Sequence, residues 1–213
     1  MKKLSPPKIT HRQRDNAEQK VKAIREVTLY LLDQHGYDQV TMLMIAQYAK
    51  MSKNTLYGLF SSKEELFVDL VKNNASNMHR ELEALVLNPE MAIKLKLQRF
   101  GEEFLALITG SAAITVNRVA VASVTSNNKL ARLLDQYGRQ ANLPLLDNII
   151  EQAIDGKELL QDTPENAKEI FINLLLGDMQ IRRLLGMTPA LSKKMIQEKT
   201  EEAVGYFMRL FAA

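Results

Sequence analysis

Apolar residues recur at helical spacing along most of the chain, and strand-like alternation is almost absent. Val21, Ile24, Thr28, Leu31 and Leu32 fall at i, i+3, i+7, i+10 and i+11, one stripe of a helix that stops at Gly36. Thr41 opens a short helix carrying Ile45, Ala46 and Ala49, and Ser52 opens another in which Leu56 and Phe60 share a face. Ser62-Lys63-Glu64-Glu65 has the form of a capping box, and Leu66, Phe67, Leu70, Val71, Met78 and Leu82 follow it. Pro89 punctuates the next start, and further helices are predicted at about 90–109, 112–124, 127–155, 164–186 and 190–211. Gly156 reads as a stop, and Thr163-Pro164 and Thr188-Pro189 as a cap followed by Pro at the first helical position. Pro144, inside 127–155, is expected to kink or split that segment. The pattern predicts an all-α chain of about nine helices, with a small head on a larger helical body and no internal repeat.

Composition narrows the function classes. The 213 residues suit one or two compact domains, and 46% hydrophobic with 25% charged residues is a globular balance. The absence of cysteine excludes disulfides, thiolate zinc sites, iron–sulfur clusters and a cysteine nucleophile. The basic start has no apolar stretch behind it and is not a secretory signal. The longest apolar run, Phe104 to Val116, is interrupted by Thr109, Gly110, Ser111 and Thr115, too short and polar to span a bilayer. A cytoplasmic protein without membrane contact is expected. Charge is uneven: residues 1–63 hold 11 Lys and Arg against 5 Asp and Glu, whereas the remaining 150 hold 17 against 20. A basic end on a mildly acidic body fits a polyanionic partner or an ordinary solvated tail.

The stretch Thr41 to Lys63 carries the most information. Two short capped helices joined at Ala49-Lys50-Met51 read as a helix-turn-helix, which sets its second helix in the major groove. With Leu56 and Phe60 facing inward, Lys53, Asn54, Thr55 and Tyr57 are left toward solvent. Lys donates to guanine O6 and N7, Asn pairs with adenine N6 and N7, and Thr bonds or touches a thymine methyl. Tyr57 is placed to give its hydroxyl to a phosphate, and Lys63 with the amides behind Ser62 forms a second phosphate site.

Ser52-Lys53-Asn54-Thr55-Leu56-Tyr57-Gly58-Leu59-Phe60, followed by Ser62-Lys63-Glu64-Glu65-Leu66, resembles the signature of tetracycline-repressor-like (TetR family) regulators. Gly36-Tyr37, Val40-Thr41 and Ile45-Ala46 match as well, so the likeness is strong over 17–70, with a looser one to the AefR-like C-terminal group. The resemblance implies a homodimeric repressor with a DNA-binding head, residues 1–62, and a ligand-binding and dimerisation body, residues 63–213. By position, Thr41 and Tyr57 match phosphate contacts, Ser52 the cap of the recognition helix, Lys53 to Thr55 the base-reading face, and Lys63 a backbone contact. Leu43 stands where the family often has Arg, Met44 where it often has an acid, Lys50 where the turn usually has Gly, and Asn54 where Gly is common. Lys50 is strained if its φ is positive.

No catalytic constellation emerges. His11, His35 and His79 stand singly, without a metal-ligand spacing or a nucleotide loop nearby, so neither metal nor cofactor is expected. Lys2, Lys3, Lys8, Arg12 and Arg14 read as a disordered tail, with a minor-groove arm as the alternative. In the body, Arg118 interrupts an apolar run and either pairs at the surface or enters a cavity; Phe100, Phe104, Tyr137 and Gln140 are further candidate pocket liners. Ile170, Leu174, Gly177 and Ile181 line one helix face opposite Phe171 and Leu175, and Val204 and Phe207 lie on the last helix's stripe. Two apolar faces need two partners, and the resemblance makes the second one another protomer. The expected function is a sequence-specific transcriptional regulator, a repressor released by a small-molecule effector and bound as a homodimer to a palindromic duplex. The alternative is a TetR-like architectural or protein-interaction DNA-binding protein with no effector.

Overall fold

The computed structural model describes residues 17–86, 88, 90–125, 128–160 and 164–213. The basic N-terminal residues, His11, Pro89 and Thr163, and the side chains of Met78 and His79, lie outside the described part. The described residues are helical, without a strand: α1 Ala17–Gln39, α2 Met42–Tyr48, α3 Lys53–Leu59, α4 Lys63–Val86, α5 Ile93–Thr109 and α6 Ser111–Ser123. Then follow α7 Lys129–Leu134, a π turn Asp135–Arg139, α8 Gln140–Asp155, α9 Pro164–Leu176, α10 Met179–Leu184 and α11 Lys193–Phe211. Two of the nine expected helices are each divided. Among the described residues, no single helix is long and apolar enough to cross a membrane.

The breaks follow the backbone. Gly36 leaves the helical path of α1 at φ 72° and ψ 174°. The expected helix over 164–186 is cut at Gly177, whose φ of 46° ends α9. A Cβ there would meet nothing within 4 Å, so this glycine serves the turn and not a close helix contact within the chain. α8 continues through Pro144, and the break in the expected segment is the π turn upstream. At the end of α8 the left-handed residue is Lys157 (φ 60°), one past Gly156, with Lys157 and Glu158 amides donating to the Ile154 and Ala153 carbonyls.

The chain packs as two compact units, one running to Asn73 and including Thr115–Tyr137, the other Asn74–Ile114 with Gly138–Ala213. In the first, Ile24, Leu31 and Leu32 of α1 close on Ile45, Leu56, Phe60 and the start of α4, and Val116, Val119 and Ala120 of α6 join the same core. The unit thus extends past residue 62, because Leu66, Phe67, Leu70 and Val71 complete its apolar cover. Thr28 is buried within the stripe and satisfies its hydroxyl on the Ile24 carbonyl at 2.7 Å. Arg25 ties α1 to α4, donating to Asp69 at 2.6 and 2.8 Å and to Asn73 at 2.7 Å. The Asp69 carboxylate raises the Arg25 pKa further.

The second unit is built on a chain of rings: Phe100 with Phe104 and Phe171, Phe171 with Phe207, and Phe207 with Phe211. α5 and α11 meet where Gly101 faces Thr200; an added Cβ would lie 2.5 Å from Thr200 Cγ2. Buried Arg183 donates to the carbonyls of Thr109 and Thr188, both at 3.0 Å, and so satisfies the end of α5.

Candidate nucleic-acid interface

Two N-caps and one turn fix the local geometry. Thr41, in extended conformation, accepts the Met44 amide at 3.1 Å and starts α2. Ser52 accepts the Thr55 amide at 3.0 Å and starts α3. Between them the Lys50 amide donates to Gln47 O and the Met51 amide to Ala46 O, at 3.0 and 2.9 Å. That closure needs a left-handed residue, and Lys50 supplies it at φ 54°, strained as its side chain implies.

Leu56 and Phe60 are buried, which fixes the rotation of α3 about its axis. Lys53, Asn54 and Tyr57 are consequently exposed together, with the Lys53 ammonium 5.5 Å from the centre of the Tyr57 ring. Thr55 is half-buried, and its hydroxyl lies 2.9 Å from that of Ser52 in the cap. Thr41 is exposed, and because its oxygen accepts from Met44 its hydroxyl proton is available to a phosphate. Leu43, Gln47 and Tyr48 of α2 are exposed as well. Sequence reasoning passed over Gln47 and Tyr48, although both fall off the Ile45-Ala46-Ala49 stripe and were readable as outward from that alone.

Lys63 is engaged within the chain. Its ammonium donates to the carbonyls of Tyr37 at 2.6 Å and Val40 at 2.9 Å, and stands 4.0 Å from the Tyr37 ring centre. Two of its three protons therefore brace the α1–α2 connection, and burial lowers its pKa. Tyr37 is held neutral well above the usual phenol range, first by burial and then by the charges of Glu64 and Asp38. Half of the capping box forms as expected, Ser62 accepting the Glu65 amide at 3.1 Å, while the Glu65 carboxylate reaches one residue further back and accepts from the Ser61 amide and hydroxyl at 2.7 and 2.6 Å. Those donors from Ser61 hold the Glu65 carboxyl below the usual range.

The other candidate residues disperse. Phe100 and Phe104 fill the core of the second unit, to which exposed Gln140 also belongs; Arg118 and Tyr137 belong to the first. Arg118 lies 3.9 Å from Asp33 and lines a cleft, whereas Tyr137 sits under the Lys72 ammonium at 4.2 Å. Of the expected dimer residues, Val204 and Phe207 are 0% exposed within a single chain, so their side chains are spent on its own core. Ile170 and Leu174 are half-buried, Gly177 is exposed at its turn, and Ile181 is 52% exposed.

Comparison with known proteins agrees with this geometry. Residues 24–70 match the model of bacterial regulatory proteins of the tetR family, and residues 95–213 that of the AefR-like transcriptional repressor C-terminal domain. An uncharacterized HTH-type transcriptional regulator of Mycobacterium tuberculosis is 30% identical over 142 residues. That alignment covers 62% of this chain, and the chain spans only 62% of the relative's length. The flavonoid-responsive regulator FrrA shares the fold with a TM-score of 0.67 and 24% identity, over 92% of this chain and 98% of that one. The transcriptional regulator FadR of Bacillus subtilis, solved with stearoyl-CoA, gives 0.70 and 16%, over 87% and 96%. The chain belongs to the tetR family of DNA-binding transcriptional regulators, with an AefR-like C-terminal domain.

Proposed function

We propose that the chain is an effector-released repressor that binds a palindromic operator as a homodimer in the cytoplasm. The observation that carries the DNA-reading part is the shared exposure of Lys53, Asn54 and Tyr57 on a short helix whose opposite face, Leu56 and Phe60, is locked in the core. Lys53 and Asn54 read base edges, Thr41 and Tyr57 hold phosphates, and Ser52 and Thr55 set the helix start. Residues 1–62 supply the DNA-binding helices, and the effector and dimerisation functions fall to 63–213, although the compact unit around those helices draws on α4 and α6 as well. α4 runs from Lys63 to Val86.

Dimerisation uses the apolar surface left on α9 to α11 after the core is filled, with Ile170, Leu174 and Ile181 at its centre. The names of FrrA and of FadR with stearoyl-CoA support the effector part only by kinship of fold. Selection of bound duplexes from a random pool tests the reading. Enrichment of a palindrome with half-sites about one helical turn apart is expected. Equal affinity for the selected sequence and for random DNA at physiological salt refutes it.

A further inference from the structure

α2 turns Met42, Ile45, Ala46 and Ala49 into the core of the first unit, and its two flanks have different surroundings. Tyr48 marks the flank beside α1, its ring centre 6.1 Å from that of Tyr30. On a helix, residues five apart stand about 140° round the axis from each other, so Leu43 occupies the flank away from Tyr30. α2 packs against α1 and α3, which makes this second flank the one beside α3 and its exposed Lys53 and Asn54. Gln47, one turn after Leu43, extends the same ridge and is exposed too. Leu43 itself is 53% exposed, a large aliphatic group on a face whose other members, Gln47, Lys53 and Asn54, all carry hydrogen-bonding groups.

We propose that Leu43 reads the methyl group of a thymine in the major groove, next to the bases met by Lys53 and Asn54, so that α2 as well as α3 sets the choice of operator. A leucine side chain has neither donor nor acceptor and cannot address a phosphate or the hydrogen-bonding edge of a base. Among the groups displayed in the major groove, the thymine methyl is the one that takes an apolar contact. The duplex is the occupant of this exposed leucine because Leu43 is continuous with the DNA-reading face. The inference rests on α3 being the recognition helix, and it adds a thymine to the bases that each half-site must present.

The test starts from the palindrome selected with the wild-type protein. Each thymine is replaced, one symmetric pair at a time, by deoxyuridine, which removes the methyl and keeps the pairing edge. Fluorescence anisotropy then gives the affinity of wild type and Leu43→Ala for every duplex. With wild type, one thymine pair should lose about fourfold in affinity per half-site, the transfer of one methyl group back to water. Leu43→Ala should bind the unmodified palindrome weaker by at least about that factor, show no penalty at that pair and keep the penalties elsewhere. Its melting temperature should hold, since the side chain lies mostly outside the core. Leu43→Gln, similar in length but polar, is a second variant that should likewise erase the penalty at that pair. Thymine penalties identical in wild type and both variants, or variants that bind the palindrome as tightly as wild type, overturn the inference and leave sequence-specific binding intact. Equal affinity of wild type for the palindrome and for random DNA overturns the recognition-helix reading and this inference with it.

Discussion

Replacing Lys63 with Met separates a brace from a phosphate contact. Met keeps most of the stem but removes the ammonium, and with it the bonds to Tyr37 O at 2.6 Å and Val40 O at 2.9 Å and the contact 4.0 Å from the Tyr37 ring centre. Hydrogen bonds from a charged donor contribute about 1.5–3 kcal/mol each, so two amount to roughly 3–6 kcal/mol before offsets. The half-buried ammonium already carries a desolvation cost, seen in its lowered pKa, and water replaces part of what the carbonyls lose. A net loss of about 2 kcal/mol remains, or roughly 4–8 °C in Tm for a chain of this size. The DNA readout is independent of that loss. Each phosphate contact contributes about 0.9 to the slope of log K against log salt. Fluorescence anisotropy on a random-sequence duplex across a salt series should give Lys63→Met a slope within about 0.3 of wild type. Lys53→Ala, at a residue that reads base edges, should cost about 1–3 kcal/mol on the selected operator and leave Tm nearly unchanged. A slope reduced by about 0.9 with Tm unaltered in Lys63→Met would show that the ammonium serves the polyanion and not the α1–α2 connection.

Three further outcomes follow from single positions. Lys50→Gly relieves a left-handed lysine at φ 54° and should raise stability by about 1 kcal/mol in denaturant melts, part of the roughly 1–2 kcal/mol strain being offset by glycine's unfolded entropy. Tyr37→Phe removes a buried hydroxyl that has no hydrogen-bond partner while keeping the ring under Lys63, and should stabilise by about 1 kcal/mol at neutral pH. The raised pKa of Tyr37 means the unfolded chain loses that proton near pH 10 while the folded chain keeps it. Its contribution is therefore fully present below pH 10 and lost as pH rises further, and Tyr37→Phe should flatten that alkaline fall in a pH series of melts. Gly101→Ala places a methyl 2.5 Å from Thr200 Cγ2 and should cost about 1–3 kcal/mol by calorimetry, with Thr200→Ser in the same chain recovering much of it.

Local order was legible where a residue's own neighbours decide it. The spacing of Leu56 and Phe60 set the exposed face of α3, Thr41 and Ser52 announced their helices, and Lys50 in a glycine position raised the question of a positive φ, which is 54°. The brace made by Lys63 was not legible because its acceptors are carbonyls 26 and 23 residues earlier, which no helical period relates to it. Arg183 escaped notice for the same reason, its first acceptor being 74 residues away. Gly156 does end the helix, since α8 stops at Asp155, but the left-handed residue of the capping turn is Lys157, where glycine is more usual.

The expected dimer residues divide in a more instructive way. An apolar stripe reports that a face is covered but not by what, so Val204 and Phe207 looked as available to a second copy as Ile181. Packing decides between them: Val204 and Phe207 complete the phenylalanine-rich core, while the left-handed Gly177 ends α9 and Ile181 falls on a separate short helix. Had the helix continued, Ile181 would have shared the stripe of Ile170 and Leu174, which pack partly against that core. Ile181 and Leu185 are instead 52% and 63% exposed, beside the hydrophobic Leu184. The residues open to a partner are thus those left over after one chain has filled its own core, a subtraction that periodicity alone cannot perform.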